Sequence, residues 1–463
     1  MNLYKHQQEA IGHTFACGGN AALFMDMGTG KTLTALEIFQ QHRLTGDSAL
    51  KLIVIAPLSL LEAAWGEDID RFTTFTYYNA HDKALPATLK EDILLINYEA
   101  IILKRNMGIV NLMRGNIVVL DESSRCKNHA AKTTKTLLAM RNLPKFKLIM
   151  SGTPAPNSPM EYYAQMEWLK PGILHKSFYG FRNSYFHLQR GNQIFHGQIF
   201  TKAAMFDALR TGFKYEITAQ NLKKLMDKIN PYIFLAKKED CLDLPDQVDE
   251  VRKVELSPAQ MKHYKEMKNY LITEIKGQQI VAQAALAKVM KLRELCSGFC
   301  IAGEKIVEIE PSAKITELKA VIEEAGLQPI IIWATFIWEI ERIVKELGEE
   351  NCRTIYSKTT DRDISIKDFK EGKVRFLICH PASAGHGLTF VNCALQIFFS
   401  LDYSSERYWQ AKARIHRIGQ LNKCTYIHLI ANNTIEEEIL KCLRNKTDIM
   451  QIAEKMIDDR NLK

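Results

Sequence analysis

A glycine-rich run, Met25-Asp26-Met27-Gly28-Thr29-Gly30-Lys31-Thr32, and a downstream carboxylate pair, Asp121-Glu122, supply the residue types from which a polyphosphate site can be assembled. Glycines let a backbone turn close on phosphate oxygens with its N–H groups pointing inward, and a helix that begins there adds partial positive charge. Lys31 would neutralise the terminal phosphates, and the Thr32 hydroxyl would ligate Mg²⁺. Asp121 would hold that metal directly or through water, while Glu122 would orient an attacking water and accept its proton. The loop and the pair together point to ATP and Mg²⁺ more firmly than either does alone. One position departs from the full Gly-x4-Gly-Lys-Ser/Thr pattern, because Met25 stands where a glycine is usual.

A third constellation lies late in the chain, in Tyr408-Trp409-Gln410-Ala411-Lys412-Ala413-Arg414-Ile415-His416-Arg417. Helical spacing predicts that Gln410, Arg414 and Arg417 share one face. Two arginines three apart on a helix repel by roughly 0.2–0.5 kcal/mol, so a purely structural helix gains nothing from them. A polyphosphate would give them a partner, and arginines so used accelerate phosphoryl transfer by about 10³–10⁵. The expected catalytic set is therefore Lys31, Asp121, Glu122, Gln410, Arg414 and Arg417. Its halves are far apart in sequence, so hydrolysis is expected to require closure of two lobes around the nucleotide, coupling chemistry to motion.

The elements that must position these residues are legible as apolar runs. Those at 21–25, 52–56, 93–96, 117–120 and 147–150 are continuous rather than alternating, as strands covered on both faces should be. Thr32 to Phe39 has helical periodicity, so strand, glycine turn and helix follow in order. The rhythm restarts at 329–333, 352–356, 374–378, 395–399 and 425–430. The expected fold class is α/β, with two parallel-sheet lobes in tandem and mainly helical insertions between them. The lobes are placed at 1–160 and 311–463, with insertions over 161–310 and a break at Leu244-Pro245-Asp246. The middle segment is aromatic and basic, with Phe178-Tyr179-Gly180-Phe181-Arg182, a Gly191-Asn192 turn, Lys223-Lys224 and Lys237-Lys238. That texture suits nucleic-acid contact and a solvated insertion about equally.

Composition narrows the class. The balance of 61 basic against 53 acidic residues leaves +8, which agrees with a polyanionic partner without demanding one. The 10 cysteines include no Cys-x-x-Cys pair, so neither a zinc ribbon nor a disulfide framework is indicated. The N-terminus lacks the apolar core of a signal peptide, and no run approaches the length of a membrane span. A reduced, cytoplasmic setting and no membrane association are expected.

With these motifs in hand, the chain resembles the superfamily-two helicases, and specifically their Snf-type branch of chromatin remodellers and related DNA translocases. The likeness runs from Tyr4 to beyond Gln420. Tyr4-Lys5-His6-Gln7 looks like the adenine-reading motif, which implies that Tyr4 and Gln7 meet the base, and Met27 through Thr32 covers motif I. Ala56-Pro57-Leu58-Ser59-Leu60 with Trp65 resembles motif Ia and Asn97-Tyr98-Glu99 motif Ib. The resemblance implies that Pro57, Ser59, Asn97 and Tyr98 track a phosphate backbone. Asp121-Glu122-Ser123-Ser124 followed by Lys127-Asn128 looks like motif II, with Lys127 and Asn128 implied at nucleic acid, and Ser151-Gly152-Thr153-Pro154 with Asn157 looks like motif III. Ala384 through Thr389 is similar to motif V, which implies Gly387 at the nucleotide and Ser383 and Gly385 at nucleic acid. Gln410 through Arg417, extended by Ile418-Gly419-Gln420, is similar to motif VI.

Four positions depart from the pattern of the branch: Ser124 for histidine, Ala236-Lys237-Lys238 for an Arg-Arg pair, Ser404-Ser405 for Asn-Pro, and Ser357 for glycine. The resemblance implies tandem RecA-like lobes and a DNA-dependent ATPase that translocates along duplex DNA as a monomer. The alternatives are a strand-separating or fork-rewinding helicase of the same superfamily, and a non-catalytic ATP-binding clamp. The compact size suits a phage or bacterial enzyme.

Overall fold

The computed structural model describes residues 3–81, 83–103, 108–155, 158–190, 193–194, 214–241, 244–273, 278–302, 305–384 and 388–445. Asn157, the Gly191-Asn192 turn, Gly385 and Gly387 lie outside the described residues. The chain divides into two compact units, Met1–Leu242 and Asp243–Lys463, and residues 161–310 are divided between them.

The first unit is built on a parallel sheet. Its strands are β1 (Asn20–Met25), β2 (Leu52–Ala56), β3 (Tyr77–Asn79), β4 (Ile93–Asn97), β5 (Ile117–Asp121), β6 (Phe146–Met150) and β10 (Ile233–Ala236). They lie in the order β10-β1-β6-β5-β2-β4-β3, every neighbouring pair parallel. The five apolar runs read from sequence are β1, β2, β4, β5 and β6. Their continuity has the expected cause. Ala22, Phe24, Ile53, Ile55, Val118 and Leu120 pack into one core, and Ala21, Leu23, Met25, Leu52, Val54 and Val119 pack into another on the opposite face. Successive side chains of a strand point to opposite faces, so a strand covered on both must be apolar throughout.

Beyond β6, the helix Phe178–Tyr185 leads into an antiparallel sheet of β7 (Phe186–Arg190), β8 (Gln193–Ile194) and β9 (Lys214–Ile217), in the order β8-β7-β9. Much of the aromatic run is structural. Phe181 is fully buried, and the Arg182 guanidinium lies 5.2 Å from the Tyr179 ring centre and 4.6 Å from that of Tyr215.

The second unit carries β11 (Gln247–Val254), β14 (Ile330–Trp333), β15 (Cys352–Ile355), β16 (Phe376–Cys379), β17 (Leu395–Phe398) and β18 (Cys424–Ala431). Their order is β11-β18-β17-β14-β16-β15, again with all neighbours parallel. A hairpin of β12 (Phe299–Ala302) and β13 (Lys305–Glu308) stands outside that sheet. The five late apolar runs are β14 to β18, and Ile330, Ile332, Ile378, Ile397 and Leu429 form the core beneath them. The α/β class with two parallel-sheet lobes is thus the fold of the chain. Among the described residues, no helix is long and apolar enough to cross a membrane.

Candidate nucleotide site

Motif I lies between β1 and the helix α2 (Lys31–Thr45). Met25 is the last residue of β1, fully buried and paired with Ala236 of β10, so the strand continues through the position where the long pattern has glycine. The turn proper begins at Asp26. Its backbone N–H donates to Ala236 O (2.9 Å), and its carboxylate accepts from Lys238 N (3.0 Å). The Ala236-Lys237-Lys238 segment therefore braces the loop through main-chain atoms, whatever its side chains are.

Gly28 and Gly30 have φ of +85° and +81°, the left-handed region in which a side chain is strained. At Gly30 a Cβ would lie 2.3 Å from Gln7 Nε2. Gln7, on the helix Lys5–Ala16 (α1), is only 1 % exposed: Nε2 donates to Gly30 O (3.2 Å), and Oε1 accepts from Tyr4 N (2.9 Å). His6 Nε2 bonds Thr29 O at 2.8 Å. The motif expected to read the base thus uses its amide to hold the phosphate loop, while the half-exposed Tyr4 ring stacks on His6. Thr29 Oγ1 donates to Asp26 O (2.7 Å), and Lys31 Nζ donates to Met25 O (2.9 Å) and Asp26 O (3.2 Å), folding back across the turn.

Asp121 ends β5 and Glu122 follows it with φ of +50°, a left-handed conformation unusual for glutamate and of the kind stored at functional turns. Both side chains are buried. The Asp121 carboxylate accepts from Trp65 Nε1 (2.9 Å) on Oδ2 and from Glu122 N (2.9 Å) on Oδ1, and its carbonyl accepts from the Tyr98 hydroxyl (2.8 Å). Burial first, and the neighbouring Glu122 charge second, push its pKa up to about 6, against the Trp65 hydrogen bond and the attraction of Lys31. β1, which leads into the loop, and β5, which ends at Asp121, run parallel on either side of β6, so the loop and the carboxylate pair leave the same end of one sheet. Ser151, just beyond β6, reaches Glu122 Oε2 at 3.4 Å and accepts Thr153 N at 3.1 Å, joining motif III to motif II. Ser123 donates to Gln165 Oε1 (2.7 Å), whose amide donates to Pro154 O (2.6 Å).

These residues fit ATP with Mg²⁺. The loop offers backbone donors, a lysine and the start of a helix to phosphates. Among the described residues, no group of three or more His, Cys, Asp or Glu is gathered for a metal. A Mg²⁺ ion bound with the nucleotide takes most of its ligands from phosphate and water oxygens and needs few from protein.

The second unit corrects one expectation. The helix Ser405–Lys412 stops before Arg414, so Gln410, Arg414 and Arg417 do not share a helical face. The chain turns because Arg414 O accepts Phe390 N (3.0 Å) and Arg414 N reaches back only to Ala411 O (3.1 Å). A tertiary hydrogen bond has replaced the next helical one. Both arginines are anchored instead on the last residues of motif V, Arg414 Nη1 on Leu388 O (3.0 Å) and Arg417 Nη1 on Thr389 Oγ1 (2.9 Å). Arg417 Nε also donates to Ala413 O (2.8 Å). Gln410 is buried beside them, and its Oε1 has no hydrogen-bond partner among the described residues.

The residues expected at a nucleic-acid backbone are placed variously. Pro57 and Ser59 stand at the carboxyl end of β2, Asn97 ends β4 with its amide on Glu99 (3.1 Å), and Asn128 is exposed. Lys127 pairs with Glu161 at 3.4 Å, and Ser383 sits in the short turn of helix after β16. Tyr98 differs from the expectation. It is 2 % exposed with its hydroxyl on Asp121, so it supports the carboxylate strand from inside. Trp65 is likewise fully buried and serves Asp121. Nothing in the spacing of Trp65, Gln165 or Thr389 marks their targets.

The SNF2-related domain family matches residues 6–298, and the helicase conserved C-terminal domain matches 313–419. The chain belongs to the SNF2-related family. Carrying both domains of this SNF2-type ATPase family, it is an ATP hydrolase. Among curated relatives, it is 24% identical to protein p41 of the Acyrthosiphon pisum secondary endosymbiont phage 1, covering 92% of each chain. It is 25% identical to an uncharacterized ATP-dependent helicase of Mycoplasma pneumoniae, over 94% of this chain and 40% of that protein. It is also 25% identical to the SWI/SNF chromatin-remodeling complex subunit snf22 of Schizosaccharomyces pombe, over 93% of this chain and 26% of that protein. The chain thus spans nearly all of the phage relative and well under half of the other two. Among solved structures, it is similar to the Sulfolobus solfataricus SWI2/SNF2 ATPase core in complex with dsDNA, with TM-score 0.45, 23% identity, and coverage of 96% of this chain and 91% of that one.

Proposed function

We propose that this SNF2-family chain hydrolyses ATP with Mg²⁺ in response to duplex DNA and uses the cycle to translocate along it. The observation that carries the reading is the assembly in the first unit. The glycine turn with Lys31 follows β1 and the buried Asp121-Glu122 pair follows β5, two parallel strands that flank β6, so both stand at the carboxyl end of one sheet, where ligands of such sheets bind. Bound Mg²⁺ would offset phosphate charge. Lys31 would bind the terminal phosphates, Glu122 would orient water and take its proton, and Ser151 would hold Glu122 in place. Arg414 and Arg417 would supply positive charge to the transferring phosphoryl group, and Gln410 would contribute its free carbonyl. The relatives named as an ATP-dependent helicase and a chromatin-remodeling subunit support action on DNA. Backbone contacts would carry the affinity, making binding salt-sensitive and largely indifferent to sequence.

Triplex displacement tests translocation. With ATP, the protein should strip a third strand from a duplex without releasing a paired oligonucleotide from a forked substrate. Release of the paired oligonucleotide would favour a strand-separating helicase, and an intact triplex would overturn translocation.

A further inference from the structure

Asp121 is held by two aromatic donors that the hydrolytic chemistry does not itself require. Tyr98, following β4, fixes its main chain, and Trp65, following β2, fixes its carboxylate. The Trp65 bond spans 56 residues of sequence and is made by a side chain with no exposed surface. Trp65 sits in an unusual place, the π-helical turn Leu61–Gly66 between the short turn of helix Leu58–Leu60 and the helix Glu67–Phe72. π turns are rare and cluster at functional sites, because the wider spacing re-aims a side chain. This one is pinned from the sheet edge. Tyr77 OH donates to Glu62 Oε1 and Asn79 Nδ2 to Glu62 Oε2, each at 2.8 Å. At the other end of the same segment, Leu58 is 44 % exposed and stands with Ser59 at the carboxyl end of β2.

We infer that Trp65 is a positioning residue that sets the Asp121 carboxylate, and that the 57–66 segment transmits occupancy of its exposed Leu58-Ser59 end to the hydrolytic centre. A phosphate backbone seated on that end would shift the segment, and the segment has one buried polar output, the indole N–H on Asp121. The transmission half of this inference rests on the DNA reading proposed above, whereas the positioning half does not.

Trp65→Phe removes the donor and keeps most of the ring volume. Its affinity for a fluorescent ATP analogue, titrated with Mg²⁺, should show a several-fold higher half-saturating Mg²⁺. Its stimulation of turnover by duplex DNA should fall several-fold, with DNA affinity by anisotropy within twofold of wild type. Tyr77→Phe, which loosens the π turn from outside the site, should shift both readouts in the same direction but less, and it serves if the tryptophan variant fails to fold. The emission of Trp65, taken as wild type minus Trp65→Phe, should change when DNA is added without nucleotide. An unchanged Mg²⁺ requirement in both variants would overturn the positioning role. Full DNA stimulation in both, or constant Trp65 emission on saturation with DNA, would overturn transmission. If wild type neither binds DNA nor responds to it, the DNA reading fails with the transmission half, and the Mg²⁺ titration still decides the role of Trp65.

Discussion

Replacing Gly30 by alanine tests how α1 and the phosphate loop hold each other. At φ of +81°, a Cβ costs about 1–2 kcal/mol in backbone strain. It would also lie 2.3 Å from Gln7 Nε2, so the glutamine must leave. Two hydrogen bonds go with it, to Gly30 O and from Tyr4 N, each worth about 0.5–1.5 kcal/mol net. The sum is about 2–5 kcal/mol in the wild-type background. In a Gln7→Ala background, both bonds are already gone and the space is open, so Gly30→Ala should cost only the strain, about 1–2 kcal/mol. Hydrogen exchange of β1 and α2 amides gives the local opening free energy for the four proteins of the cycle. The expected coupling is about 1–3 kcal/mol. Costs that add to within about 0.5 kcal/mol would refute the steric argument and return Gln7 to the role of a free base reader.

Two cations, one in each unit, give further predictions. Lys147 is 8 % exposed, and its Nζ donates to Trp168 O (3.0 Å) and Arg141 O (3.1 Å). Burial, with Lys170 and Arg141 nearby, pulls its pKa down from 10.5 to about 8. The unfolded chain therefore binds the extra proton between those values. The penalty for burying the charge, about 3 kcal/mol, is fully present below pH 8 and is relieved as pH rises toward 10.5. Wild type should gain stability relative to Lys147→Met from pH 8 to 10 in thermal unfolding, and a pH-independent difference would contradict this. Arg417→Ala should lower kcat by about 10³ or more while leaving ATP affinity nearly unchanged, measured by single turnover beside equilibrium binding, and near-normal hydrolysis would remove this residue from the catalytic set.

The strands at the centre of each sheet were readable because burial on both faces leaves a continuous apolar run, as in Leu52–Ala56 and Ile330–Trp333. The edges were not. β11, Gln247-Val-Asp-Glu-Val-Arg-Lys-Val254, is polar at most positions because an edge strand is only partly covered, and β3 has only three residues; β10, Ile233-Phe-Leu-Ala236, is as long and as apolar as β14 but lies within the segment read as a helical insertion. Lys31, Asp121 and Glu122 were legible because their chemistry is local to one turn and one strand end. The arrangement of Arg414 and Arg417 was not, since a bond from Phe390 ends the helix early and periodicity carries no record of it. Trp65 and Tyr98 were visible as residues, but their common target, Asp121, exists only once β2, β4 and β5 lie side by side.

The most direct test is steady-state ATP turnover of the purified chain with Mg²⁺, measured without nucleic acid and at saturating duplex DNA, and repeated with single-stranded DNA and RNA. The account predicts slow basal turnover raised at least several-fold by duplex DNA, with the stimulation weakening as salt rises. Equal rates with and without duplex DNA at low salt would contradict it.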